Sequence, residues 1–194
     1  KNLSLAGVIK GLVLEPRQVK DALRVIIHSI LFQRELGVVT PRQVESDCGV
    51  FYLTLNDINT DKHIEEQLTL FENRLQERPV LILTLSFYQT VKKKTFLFIQ
   101  EKTKVIWEEW KIPIQLQQMT IPEPRKSDSR LAKKLRKRLM AIIERICEKK
   151  DHLPSIGEAD DPTVIRFPYE ISSIEAEQMP GNYFGKNIPH LVII

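Results

Sequence analysis

Between Pro16 and Leu36 the chain reads as one long helix that is apolar on almost every side. At 100° per residue, Val19, Ala22, Leu23, Ile26, Ile27, Ile30 and Leu31 share a broad face, and Val25 and Phe32 are apolar on the far side. Lys20, Asp21, Arg24 and His28 fill the narrow polar arc that is left. Such a helix is stable only where other elements cover most of its circumference. The rest of the chain must therefore wrap around it. Glu15-Pro16 opens the helix, since proline suits a first helical turn, and Gly37 is a stop.

The wrapping elements can be read in order. Val8–Leu14 is a β-branched and leucine-rich run that forms a first strand, and Cys48–Leu55 is another. Asn56-Asp-Ile-Asn-Thr60 is turn chemistry, with Thr60 or Asp61 as the cap of a helix whose Ile64, Leu68, Phe71 and Leu75 make a single stripe. After Pro79, Val80–Tyr88 is an unbroken apolar run suited to a central strand. Lys104–Met119 is a longer strand that Pro113 interrupts or bends. Ile121–Arg125 is a connector. Ser127, Asp128 or Ser129 then caps a helix reaching Lys149, with Leu131, Leu135, Leu139, Ile142, Ile143 and Ile146 within an arc of roughly 120°. A polar loop follows, then a strand over Val164–Ile174 and an apolar end, Leu191–Ile194. Strands mixed with three main, non-consecutive helices indicate an α+β domain on a mainly antiparallel sheet.

The 194 residues suffice for one well-buried core, and 42% apolar with 28% charged residues excludes a disordered majority. No run approaches the roughly 18 apolar residues of a membrane span, and the layout of a signal peptide is missing, so a cytoplasmic home is the expectation. Cys48 and Cys147 are too far apart in sequence for a disulfide framework or a metal site and read as reduced, packed thiols.

No pattern spells out a reaction. Gly181-Asn-Tyr-Phe-Gly185-Lys186-Asn187 has three residues between its glycines where a phosphate loop needs four, and no Ser or Thr at its end. No two histidines stand four residues apart, and His28 reads as a structural histidine. Glu65-Glu66 and Glu108-Glu109 are adjacent, so their side chains diverge and read as solvated charges. Trp107 and Trp110 stand three apart, which in a regular strand puts one in the core and leaves the other partly exposed. No catalytic residue, cofactor site or metal site is assigned.

What remains points to binding. Arg130, Lys133, Lys134, Arg136, Lys137 and Arg138 lie opposite the apolar stripe of the third helix, as a solvated or protein-facing surface. The alternative is a basic surface for nucleic acid or another adaptor role, though this helix carries no aromatic residue to stack a base. Between the two long strands, Lys92-Lys93-Lys94 is followed by Phe96, Leu97 and Phe98. Bulky apolar residues in a connection either fold back on the sheet or project as an anchor for another protein.

The residues also resemble a known family. Arg17-Gln-Val-Lys-Asp-Ala-Leu-Arg-Val-Ile-Ile-His-Ser-Ile-Leu-Phe-Gln-Arg34 is similar to the first helix of the autophagy-related protein 101 family of HORMA-domain proteins. The likeness continues in Ser46-Asp-Cys-Gly-Val-Phe-Tyr52, Leu85-Ser-Phe-Tyr-Gln89, Lys92-Lys-Lys94, Trp107-Glu-Glu-Trp110, His152-Leu-Pro154 and Pro168-Tyr-Glu-Ile-Ser172, in the family's order. The resemblance implies a single HORMA domain over residues 1–174, with a tail, 175–194, able to add an edge strand. It implies a non-catalytic scaffold of the autophagy-initiation (Atg1/ULK-type) kinase complex, in the cytoplasm and at the preautophagosomal structure. The implied partner is the HORMA domain of autophagy-related protein 13, bound through the helix Leu131–Ile146, with Lys133 and Lys137 steering an acidic face. Downstream autophagy factors would bind Phe96, Leu97 and Phe98, which stand where the family has a Trp-Phe finger. Two departures are plain: the finger here has no tryptophan, and the tail does not match the family.

Overall fold

The computed structural model describes residues 5–94, 100–117, 124–148, 151, 153–154, 167–175 and 184. Two long antiparallel strands form its spine, β5 (Val80–Lys94) and β6 (Gln100–Leu116). β7 (Tyr169–Glu175) lies antiparallel along the other side of β5. β1 (Leu5–Val8) and β2 (Leu12–Leu14) run parallel to β6, one after the other, giving the order β1-β6-β5-β7 with β2 also beside β6. A separate antiparallel hairpin joins β3 (Arg42–Glu45) to β4 (Phe51–Thr54). The helices are α1 (Val19–Gln33), α2 (Ile58–Glu77) and α3 (Pro124–Glu148), with a 3-10 turn, Pro16–Gln18, leading into α1. This is an α+β fold on a mainly antiparallel sheet, as the sequence leads one to expect.

α1 is enclosed as its composition demands: Val19, Ala22, Leu23, Val25, Ile26, Ile27 and Ile30 are fully buried. Its polar arc is matched rather than solvated. Lys20 pairs with Glu72 at 3.1 Å, Arg24 with Glu65, and His28 approaches Asp61 at 4.0 Å. The order of these pairs sets α1 and α2 antiparallel, with α2 turning Ile64, Leu68, Phe71 and Leu75 into the core. β5 has buried residues on both faces, Leu81, Leu83 and Leu85 on one and Ile82, Thr84 and Ser86 on the other, which is what an unbroken apolar run requires.

Several boundaries differ from the sequence reading. The first strand is broken at residues 9–11, and Pro113 sits where β1 has ended and β2 has not begun, since Val8 pairs with Lys111 and Leu12 with Ile114. The ladder on that side asks no N–H of it, so β6 continues through the proline. β3 escapes notice because Val44 is its only apolar residue. Gly49, with φ of +77°, lets the chain turn back between β3 and β4. The cap of α2 is Asp57, which accepts from the Asn59 N–H at 3.1 Å and from the Thr60 hydroxyl at 2.7 Å. α3 starts at Pro124, ahead of the Ser127–Ser129 cap expected, and Asp128 instead accepts from Gln18 at 3.0 Å and pairs with Arg17 at 2.9 Å. The last strand begins at Tyr169 rather than Val164. The tail beyond Glu175 lies outside the described residues, Phe184 excepted.

Candidate protein-binding surfaces

Three readings of possible chemistry are corrected by the structure. Glu108 is not a solvated charge: it is wholly buried, paired with Arg34 at 2.7 Å and accepting from Trp110 Nε1 at 2.6 Å. Glu109 pairs with Lys111 at 2.8 Å. Both tryptophans are buried, because a bulge at Trp107 offsets the register between the Phe87–Glu108 and Tyr88–Ile106 pairs. Inserting one residue breaks the strict alternation of faces, and the Trp107 ring packs 5.5 Å from Phe87 and 4.7 Å from Phe167. Cys48 is half-buried and hydrogen-bonded to Ser46, whereas Cys147 is exposed rather than packed. Burial pushes the Cys48 thiol above its ordinary pKa, which disfavours a thiolate nucleophile.

His28 is buried in a less satisfied way than a structural histidine usually is. Its Nδ1 has no hydrogen-bond partner among the described residues, and its ring lies 5.7 Å from Tyr52. Burial lowers its pKa below 6.5, against the opposing pull of Asp61 and Glu65. A cleft of about 300 Å³ lies nearby, between the start of α1, the β3–β4 turn and α3. Its polar groups bind one another: Arg17 and Gln18 hold Asp128, and the Asp47 N–H donates to Asp21. No group of three or more His, Cys, Asp or Glu among the described residues could hold a metal ion.

The uncovered surfaces are more informative. α3 buries Leu131, Ala132, Leu135, Ile142 and Ile146. Its outer arc carries Lys133, Arg136, Lys137, Met140 and Ile143, all exposed, within about 120° of one another. Ile143 thus belongs to the edge of the stripe rather than to the core, and Met140 is 57% exposed. Two of the six clustered cations are tied to backbone: Arg136 donates to the Gly49 carbonyl at 2.8 Å and Arg138 to the Lys10 carbonyl at 3.2 Å. Arg130, Lys133, Lys134 and Lys137 stay exposed. Through Arg136 the helix meets the β3–β4 turn. In that hairpin Tyr52 and Thr54 point into the core, while Phe51 and Leu53 are exposed, opposite Glu45 and Gln43.

The second surface is the outer half of the β5–β6 pair. β7 pairing ends at Tyr169–Phe87 and β1 pairing at Leu5–Glu108. Residues 88–94 and 100–106 therefore continue as a two-stranded ribbon beyond the sheet, with no third strand among the described residues. Lys92, Lys93 and Lys94 belong to this strand rather than to a loop. Lys104 ties the base of the ribbon to Glu170 at 2.8 Å and lies 4.4 Å above the Tyr88 ring. Phe96, Leu97 and Phe98 fall in the connection between the two strands, outside the described residues.

The enclosed first helix and the mainly antiparallel sheet make this an α+β fold, consistent with a single HORMA-like domain. Comparison with known proteins gives the family. The model of the family described as autophagy-related protein 101 matches residues 11–160. Autophagy-related protein 101 of Arabidopsis thaliana is 30% identical over an alignment of 186 residues, covering 84% of each chain. The chain belongs to the autophagy-related protein 101 family. No helix among the described residues is long and apolar enough to cross a membrane.

Proposed function

We propose that this chain is a non-catalytic scaffold of the autophagy-initiation (Atg1/ULK-type) kinase complex, acting at the preautophagosomal structure. It binds and stabilises the HORMA domain of autophagy-related protein 13 and recruits downstream autophagy factors. Membership of the family supports the role in autophagy. The observation that carries the pairing face is the exposed stripe of α3, where Met140 and Ile143 stand among Lys133, Arg136 and Lys137. Apolar area that a folded domain leaves uncovered gains most from a partner, and a cationic rim speeds the encounter with an acidic one. Phe51 and Leu53 of the adjoining hairpin extend the apolar area available.

The test is size-exclusion chromatography of the chain with the HORMA domain of autophagy-related protein 13. Co-elution at micromolar concentrations is expected, and its loss in Met140→Glu and Ile143→Glu variants. Mass action then requires the mixture to melt above either domain alone, by about 2.7 kcal/mol of added stability at a partner excess of 100 times Kd. No co-elution refutes the pairing. The exposed cations of α3 also support the rival reading as a nucleic-acid surface. Lys133→Glu with Lys137→Glu decides it: retention of RNA or DNA that falls while partner binding survives would replace the scaffold reading at this face.

A further inference from the structure

The β3–β4 hairpin pairs with no other strand among the described residues, so contacts with the helices must hold it in place. Apolar burial supplies part of the grip, through Val50, Tyr52 and Leu55. Polar ties supply the rest. The Asp47 N–H donates to Asp21 of α1 at 3.1 Å, and Arg136 of α3 donates to the Gly49 carbonyl. Arg42 of β3 donates to Asp61 Oδ2 of α2 at 3.1 Å. His28 adjoins this last tie. Its ring lies 5.7 Å from that of Tyr52, and its Nε2 stands 4.0 Å from Asp61 Oδ1. Asp61 Oδ1 and His28 Nδ1 are both buried, and neither has a hydrogen-bond partner among the described residues. One carboxylate thus stands between an arginine and a histidine, with one oxygen engaged and the other open.

From this geometry we infer that His28, Asp61 and Arg42 form a proton-operated latch: a proton added to His28 draws Asp61 away from Arg42 and loosens the hairpin on the helices. Relative burial decides the direction. The side chains of Arg42 and Asp61 are 55% and 29% exposed, and an ion pair so open to water is weak. That of His28 is 5% exposed, and opposite charges attract more strongly where water is excluded. Closing the 4.0 Å gap to hydrogen-bond length moves the carboxylate by about 1 Å, away from a guanidinium that water can solvate instead. The other groups facing the ring do not compete. Glu65 of α2 already takes two N–H donors of Arg24, and Arg24, like Arg42, repels an imidazolium. Tyr52 of β4 stays neutral, since burial raises its pKa. A two-stranded hairpin with fewer ties to its helices is marginally stable, so its amides open to solvent.

The inference does not rest on the pairing face proposed for α3. Its test is amide hydrogen exchange of the full chain at pH of about 7.5 and about 5.5, corrected for the intrinsic effect of pH on exchange, beside an NMR titration of the His28 ring. At the lower pH, residues 42–54 are expected to exchange about fivefold faster, the scale of a lost exposed ion pair, with Leu83 and Leu85 of β5 unchanged. His28→Gln is expected to remove this response. Arg42→Ala is expected to exchange at the higher pH as fast as the parent does at the lower, and to gain nothing more from acid. That result separates a latch from a histidine that merely unsettles the fold when protonated, because His28 is intact in the variant. Asp61→Asn is expected to lower the pKa of the His28 ring further, because the carboxylate opposes the effect of burial. Equal hairpin exchange at the two pH values, a parent-like acid response in His28→Gln or Arg42→Ala, or an unmoved His28 pKa in Asp61→Asn overturns the inference.

Discussion

Arg34, at the end of α1, and Glu108, in the middle of β6, grip each other in a place that water does not reach. Arg34 Nε lies 3.0 Å from both carboxylate oxygens, and a terminal nitrogen lies 2.7 Å from one of them. Side-chain exposure is 5% for Arg34 and 0% for Glu108. Trp110 adds another donor to the same carboxylate, at 2.6 Å. Burying two charges costs several kcal/mol each, and only close geometry and further hydrogen bonds offset that cost. The pair therefore fixes where the enclosed helix ends over the sheet, more than it adds to net stability.

The first prediction follows from that asymmetry. Arg34→Ala is expected to destabilise the chain by about 3–5 kcal/mol, because Glu108 is left charged and unmatched in the interior. Arg34→Met combined with Glu108→Leu is expected to recover most of the loss, since no charge is then stranded. Urea denaturation of parent, single and double variants measures both. An Arg34→Ala variant as stable as the parent would mean that solvent reaches Glu108.

Gly7 supplies the second. It sits opposite Trp110 in the β1–β6 ladder, and a Cβ there would lie 2.8 Å from the Trp110 Cε3 carbon. Gly7→Ala must push the indole or the edge strand aside, at about 1–3 kcal/mol for an overpacked site. The cost is expected to fall in a Trp110→Phe background, where less ring stands in the way, so the two effects will not add. Thermal melts of the four proteins give the answer; additive losses would show that the clash is not the cause.

A third prediction concerns acid. Burial holds His28 below its ordinary pKa of 6.5, so the native chain resists a proton that the unfolded chain accepts. The unfolded state then binds more protons, and stability rises with pH through this window. Stability is fully present above pH of about 6.5 and is lost as the pH falls below it. His28→Gln is expected to flatten that part of the profile. The Arg24 hydrogen bond holds Glu65 below 4.5, so the loss from that pair begins only at lower pH. Denaturant midpoints from pH 8 to pH 4 test this, and an unchanged slope in His28→Gln would refute it.

Much of the fold was legible because apolar periodicity reports burial directly. The all-round apolar helix, the stripe of α2 and the unbroken run of β5 each found the enclosure they require. What was not legible depended on partners far away in sequence. Nothing beside Glu108 reveals that Arg34, 74 residues earlier, will cover it. The second tryptophan was misplaced because a bulge leaves no mark on composition. Ile143 fits the buried stripe by angle alone, yet it stands at the edge of the arc, where no other described element covers it. The lysine run looked like the start of a loop because charge suggests solvent. Residues 92–94 nevertheless belong to β5, in the ribbon that runs past the ends of β7 and β1.

The last prediction is for Phe96 and Phe98. The strands that lead to them leave the sheet at residues 88 and 106, which favours a projecting anchor over a cover for the core. On that reading, Phe96→Ala with Phe98→Ala changes stability by less than about 1 kcal/mol, because little buried area is removed. Rings packed into the core would instead cost about 3–5 kcal/mol each. The double variant is expected to keep the proposed HORMA partner, whose proposed face lies on α3, and to lose downstream factors, because aromatic anchors supply most of the affinity of a small interface. A melt run beside a pull-down separates the outcomes. Loss of recruitment with an unchanged melt fits the anchor. A steep drop in melting temperature puts the two phenylalanines in the core and removes them from the recruiting surface.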